Sequence, residues 1–90
     1  MHYSMIDLDL VGFILRSRNR KVVIESLTAG PKNSRNIADE TGIPRRSVTK
    51  AVKELKDASL VVGSRKEYNV TDEGLKVINC INERGRHLDG

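Results

Sequence analysis

Between Ser34 and Ala58 the chain reads as two helical segments punctuated by Gly42-Ile43-Pro44, and this punctuation leaves few ways to arrange the rest. Ser34 can cap a helix over Arg35 to Thr41, with Ile37 and Ala38 turned inward. Gly42 ends it, because glycine is the residue that closes a helix in the left-handed conformation. Ile43-Pro44 then leads into a longer helix, from Pro44 or Arg45 to about Ala58, since proline is welcome in a first turn and nowhere later. In this second helix Val48, Ala51, Val52 and Leu55 recur at i, i+3, i+4 and i+7, a single apolar stripe that must be buried.

The flanking segments follow from the same rules. Ile6, Leu10, Val11, Ile14 and Leu15 keep helical spacing, with Asp7 and Asp9 in the first turn, where the helix dipole favours acids. Ser17 to Asn19 interrupts, and Lys21 to Ala29 resumes with Val23, Ile24 and Leu27 inward before Gly30-Pro31 stops it. Residues 6–29 are therefore an N-terminal helical region, either one bent helix or two. After Leu60 the period changes: Leu60-Val61-Val62 and Tyr68-Asn69-Val70 are strand-like runs around the turn-rich Gly63 to Glu67, which predicts a β-hairpin over 60–70. Thr71 can cap a last helix over 71–84, with Asp72 and Glu73 in its first turn and Leu75, Val77, Ile78 and Ile81 apolar, running to about Glu83. Arg84 to Gly90 reads as a frayed tail. With no repeat and no long linker, residues 1–90 form one unit, mainly α with a small β-hairpin.

Composition excludes several classes of function. No apolar run approaches the ~20 residues of a membrane span, and the start Met1-His2-Tyr3-Ser4 lacks a basic signal-type region, so a cytoplasmic protein is expected. Cys80 is the only cysteine, which excludes an internal disulfide and is read as a partly buried structural thiol. His2 and His87 stand alone near the two ends, so no metal is expected, nor any other cofactor. Neither a Ser-His-Asp set, a paired-carboxylate cleft nor a glycine-rich phosphate loop can be assembled, and no enzyme is expected. The aromatics Tyr3, Phe13 and Tyr68 are too few for stacking on single-stranded nucleic acid, and Tyr68 reads as core.

Charge points the other way. The formal net charge is +4, and residues 31–66 alone carry +5, while residues 1–15 and 67–90 each carry −2. A basic centre between acidic ends favours a polyanionic partner. At 100° per residue, Arg46, Lys50, Lys53 and Asp57 lie nearly opposite the apolar stripe of the 44–58 helix, with Thr49 on its flank and Arg45 and Ser47 at its tip. A helix about 10–12 Å across fits the major groove of double-stranded DNA. There Arg45 and Arg46 suit a guanine edge or phosphate, Lys50 and Lys53 suit phosphate, and Ser47 and Thr49 suit either base or backbone. Arg65 and Lys66 at the hairpin tip and Ser34 and Arg35 at the preceding helix start complete the candidate contacts.

The stretch Ser34 to Leu55 resembles the helix-turn-helix of bacterial and archaeal winged-helix transcriptional regulators of the broad MarR/ArsR kind. Ala38, Gly42, Val48 and Leu55 stand at that pattern's places, and Leu60-Val61 followed by Tyr68-Asn69-Val70-Thr71-Asp72-Glu73-Gly74 is similar to the pattern's wing and ending. The resemblance covers about residues 17–81 and implies a winged helix-turn-helix fold with flanking helices, acting on promoter DNA. Two departures stand out: Pro44 replaces the usual serine or threonine cap, and the wing interval 63–67 is short. The stripes Ile6, Leu10, Val11, Ile14 and Val77, Ile78, Ile81 exceed what a three-helix core with a hairpin covers, so Ile6, Leu10, Ile14, Val77, Ile78 and Ile81 are expected to form a homodimer, as flanking helices do in related regulators. The competing readings are a winged-helix protein-interaction module, such as an accessory subunit of transcription machinery, and a sequence-independent chromatin-type binder.

Overall fold

The computed structural model describes residues 8–64 and 66–89, with side chains through Glu83. Five helices and one hairpin follow in the order α1 (Leu8–Leu15), α2 (Arg18–Thr28), α3 (Ser34–Thr41), α4 (Arg45–Asp57), β1 (Val61–Ser64), β2 (Glu67–Val70) and α5 (Asp72–Asp89). This is the winged helix-turn-helix arrangement, with α1 and α5 as flanking helices. Ile6 and Arg65, and the histidines His2 and His87, lie outside the described side chains.

The region 6–29 is two helices. The break comes at Ser17, whose backbone is extended (φ −133°, ψ 113°) and whose hydroxyl accepts the Arg20 amide to cap α2. One expected cap is corrected. Asn33, not Ser34, caps α3: Asn33 is extended, its side-chain oxygen accepts the Asn36 amide at 2.8 Å, and Ser34 is the first helical residue. Asparagine is as good a cap as serine, and here it occupies the extended position that capping requires. Gly42 closes α3 at φ 78°, a left-handed conformation where a Cβ costs about 1–2 kcal/mol. Pro44 precedes α4 without any side-chain cap bond. At the far end of α4 the amides of Ser59 and Leu60 bond the carbonyls of Lys56 and Leu55, the double closure of a Schellman motif, with Ser59 at φ 64° where glycine is usual.

The hairpin is tighter than its sequence suggests. Val61 pairs with Val70, Val62 with Asn69, Gly63 with Tyr68 and Ser64 with Glu67, so Gly63 and Ser64 are strand residues and not turn residues. Pairing therefore runs as far as Ser64 and Glu67. Gly63 is needed because a Cβ there would meet the Glu67 carbonyl and, at 3.0 Å, the Tyr68 Cα. The outer edge of β2 is tied to the α2–α3 loop, where Lys32 and Tyr68 exchange amide–carbonyl bonds of 3.1 and 2.8 Å. The Thr71 hydroxyl accepts the Gly74 amide at 3.0 Å, capping the start of α5 as expected, and donates to the Ser59 carbonyl at 2.8 Å.

The core is continuous from α1 to α5. Val48, Ala51, Val52 and Leu55 are all buried, joined by Val23, Ile24, Leu27, Ile37, Leu60, Val61 and Tyr68. Ile14, Val77, Ile78 and Ile81 belong to this same core, with Leu10 and Cys80 packed against it, so α1 and α5 bury most of their apolar stripes against their own chain. Covering by a second copy is not needed for those four side chains, and the apparent surplus shrinks to Leu8 (62% exposed), Leu15 (52%) and Leu75 (38%) in these helices. The frayed tail expected from residue 84 is also corrected: α5 continues to Asp89. No proline interrupts it, and Gly85 inside a helix costs only about 1 kcal/mol.

Candidate nucleic-acid interface

With its stripe closed into the core, α4 turns its other faces outward. Arg45, Arg46, Thr49, Lys50 and Lys53 are exposed and Ser47 is half-buried. At 100° per residue, Arg46 and Lys53 occupy the middle of the outer face, Arg45 and Thr49 one flank, and Ser47, Lys50 and Glu54 the other. Each flank opens onto a cleft against a different helix.

On the first flank, Asn33, Ser34 and Arg35 of the α3 start face Arg45 and Thr49 across a cleft of about 400 Å³, closed at its base by Tyr68. Two guanidinium groups, two hydroxyls, an amide and a phenol surround it, and among the described residues no carboxylate walls it. Such a set donates hydrogen bonds and carries positive charge, which is what a phosphate requires. Four predicted residues, Ser34, Arg35, Arg45 and Thr49, are thus brought together. Sequence reasoning missed Asn33 and assigned Tyr68 to the core alone. Tyr68 is indeed buried, yet it also walls the cleft, and the signal was its position opposite the loop that starts α3, visible only once Lys32 pairs with it.

On the second flank, Ser47, Lys50, Ala51 and Glu54 face Ser17, Asn19 and Arg20 across a cleft of about 200 Å³. Its one acid is already engaged. Arg20 Nε donates to Glu54 Oε1 at 3.0 Å, Arg20 Nη1 donates to the Phe13 carbonyl at 2.8 Å, and the guanidinium lies 3.9 Å from the Phe13 ring centre. One arginine therefore joins α1, α2 and α4, a role that sequence alone did not signal.

Ion pairing sorts the remaining cations. Lys21 pairs with Glu25 at 3.1 Å and Lys32 with Glu40 at 3.4 Å, and the Lys32 ammonium also donates to the Ser26 carbonyl. Lys56 donates to the Gly63 carbonyl and lies over the Tyr68 ring, which ties the hairpin to α4. Among the described residues, Arg35, Arg45, Arg46, Lys50 and Lys53 make no salt bridge, so unpaired positive charge gathers on the outside of α4 and the start of α3, with Arg16 and Arg18 also unpaired at the α1–α2 junction. Lys66 is exposed at the wing tip. Among the described residues no group of three or more His, Cys, Asp or Glu is placed to hold a metal, and no helix is long and apolar enough to cross a membrane.

Residues 8–86 match the family model described as HVO_A0261 N-terminal domain. No curated protein sequence matches the chain. Among solved structures, quinone-bound YodB from B. subtilis is similar with a TM-score of 0.79 and 22% identity, covering 91% of this chain and 94% of that one. TubR from Bacillus thuringiensis serovar israelensis, bound to 24 bp of tubC, has a TM-score of 0.74 and 17% identity over 86% of this chain and 92% of that one. A possible transcriptional regulator for arsenical resistance has a TM-score of 0.61 and 20% identity over 79% of this chain and 78% of that one. At these identities the likeness is one of fold.

Proposed function

Starting from a chain that belongs to the HVO_A0261 N-terminal domain family, we propose that this protein is a non-enzymatic transcriptional regulator that binds double-stranded DNA sequence-specifically, with α4 in the major groove. The observation that carries this reading is the acid-free, donor-lined cleft between α3, α4 and Tyr68, continuous with the unpaired cations on α4. A phosphate seated there puts Arg46 and Lys53 toward the base edges, while Arg45 and Thr49 stay at the groove wall. The short wing, through Arg65 and Lys66, grips phosphate beside the groove. Two solved structures of this fold are of proteins described as acting on DNA or transcription, TubR on tubC and the arsenical-resistance regulator, and both support the reading by analogy.

The active form is a homodimer in the cytoplasm. Leu8 and Leu15 stand at i and i+7 on one exposed side of α1, and with Ile6 and Leu10 they provide the apolar seam, above Ile14, Val77, Ile78 and Ile81. A dimer sets two α4 helices about 34 Å apart on a palindromic site. Selection from a random duplex pool tests specificity: enrichment of one two-fold symmetric sequence is expected. Equal retention of all duplexes overturns specificity in favour of a chromatin-type binder, and no retention overturns DNA binding. Light scattering under the same conditions should give about twice 10.1 kDa, and the monomer mass contradicts the dimer.

A further inference from the structure

The cleft on the second flank of α4 shares Ser47 and Lys50 with the candidate interface but lies on the opposite side of the helix from the α3 cleft. Its far wall is the start of α2, and the residues beside that wall, Arg16 and Arg18, are exposed and make no salt bridge among the described residues. Resting on the DNA-binding reading, we propose that Asn19, across the cleft from Ser47 and Lys50, and the exposed Arg16 and Arg18 that flank Ser17 at the cleft's edge form a second phosphate site that holds the DNA strand opposite the one gripped by the α3 cleft.

Three features converge on this assignment. A helix lying in the major groove has a sugar–phosphate strand on each side, and α4 has a polar cleft on each side, at Arg45 and Thr49 and at Ser47 and Lys50. Among the described residues that line the second cleft, the one carboxylate, Glu54, is held by Arg20, so it does not oppose an anion with a bare charge. Finally, the other cations near the start of α2, Arg20 and Lys21, pair with Glu54 and Glu25, whereas Arg16 and Arg18 remain unspent at the α1–α2 junction. The two clefts together make the contact two-sided, so α4 is positioned by both strands and not pivoted about one.

Counterion release makes the site measurable. Each phosphate neutralised contributes about 0.9 to the slope of log affinity against log salt. Fluorescence anisotropy with a random-sequence duplex compares the wild type, Arg16→Gln/Arg18→Gln, Arg46→Ala/Lys50→Ala, and a control of equal charge loss away from the cleft, Lys21→Gln/Lys76→Gln. The expected result is a slope shallower by about 1.8 for Arg16→Gln/Arg18→Gln, so that raising salt from 50 to 200 mM costs about 12-fold less affinity than in the wild type, with the control unchanged. A wild-type slope in Arg16→Gln/Arg18→Gln, or a change equal to the control's, overturns the second site. If Arg46→Ala/Lys50→Ala is still shallower in that case, the primary interface stands. Absence of wild-type binding instead overturns the reading on which the proposal rests.

Discussion

The α3–α4 side and the α1–α5 side of this molecule solve opposite problems with similar sequence patterns. Both are built from amphipathic helices. On α4 the apolar stripe closes completely and the charged face is left open, with Arg45, Arg46, Lys50 and Lys53 exposed. On α1 and α5 most of the apolar stripe closes too, through Ile14, Val77, Ile78 and Ile81, but three leucines, Leu8, Leu15 and Leu75, stay exposed among the polar residues. An unpaired charge invites a polyanion, while an uncovered leucine invites another apolar surface, so the two sides point to different kinds of partner.

The contrast is easiest to disturb in the core. Ile14→Ala should destabilise by about 2–5 kcal/mol, and Leu55→Ala by a similar amount, because each empties a fully buried site. If the Ile14→Ala loss measured by denaturant were confined to high protein concentration, Ile14 would be an interface residue and not core. Gly74→Ala follows at about 1–3 kcal/mol, since the added Cβ would meet the Leu60 carbonyl and, at 2.6 Å, the Val70 Cγ2, forcing α5 off the hairpin. Arg20→Ala should cost about 2 kcal/mol in thermal unfolding through loss of its two charged hydrogen bonds, and it should also weaken DNA binding by freeing Glu54 beside Lys50. At the small end, Ser59→Gly should stabilise by about 0.5–1 kcal/mol by relieving a left-handed backbone at φ 64°.

Local rules carried the fold a long way. The apolar period, Gly42 and Thr71 placed α3, α4 and α5, because stripes, left-handed closures and caps involve residues only a few positions apart. What escaped depends on distant pairs. The exchange between Lys32 and Tyr68 spans the whole helix-turn-helix, and it both ties β2 to the α2–α3 loop and turns Tyr68 into a cleft wall. Arg20 looked like one more basic residue, but its partners Phe13 and Glu54 lie on two other helices. The same gap explains the α1 and α5 stripes, which seemed in excess until their mutual packing was seen. Of the candidate contacts, those on α3 and α4 were legible from helical phase, whereas their division into two clefts was not.

Whether the open face of α4 meets DNA phosphate and base is decided by a salt series on wild type and Arg46→Ala/Lys50→Ala. Wild-type binding should weaken steeply as salt rises. The double variant should show a slope shallower by about 0.9 for each phosphate it no longer neutralises, while its stability stays within about 0.5 kcal/mol of wild type. Equal slopes for the two proteins, or no wild-type binding at low salt, would refute that placement of α4.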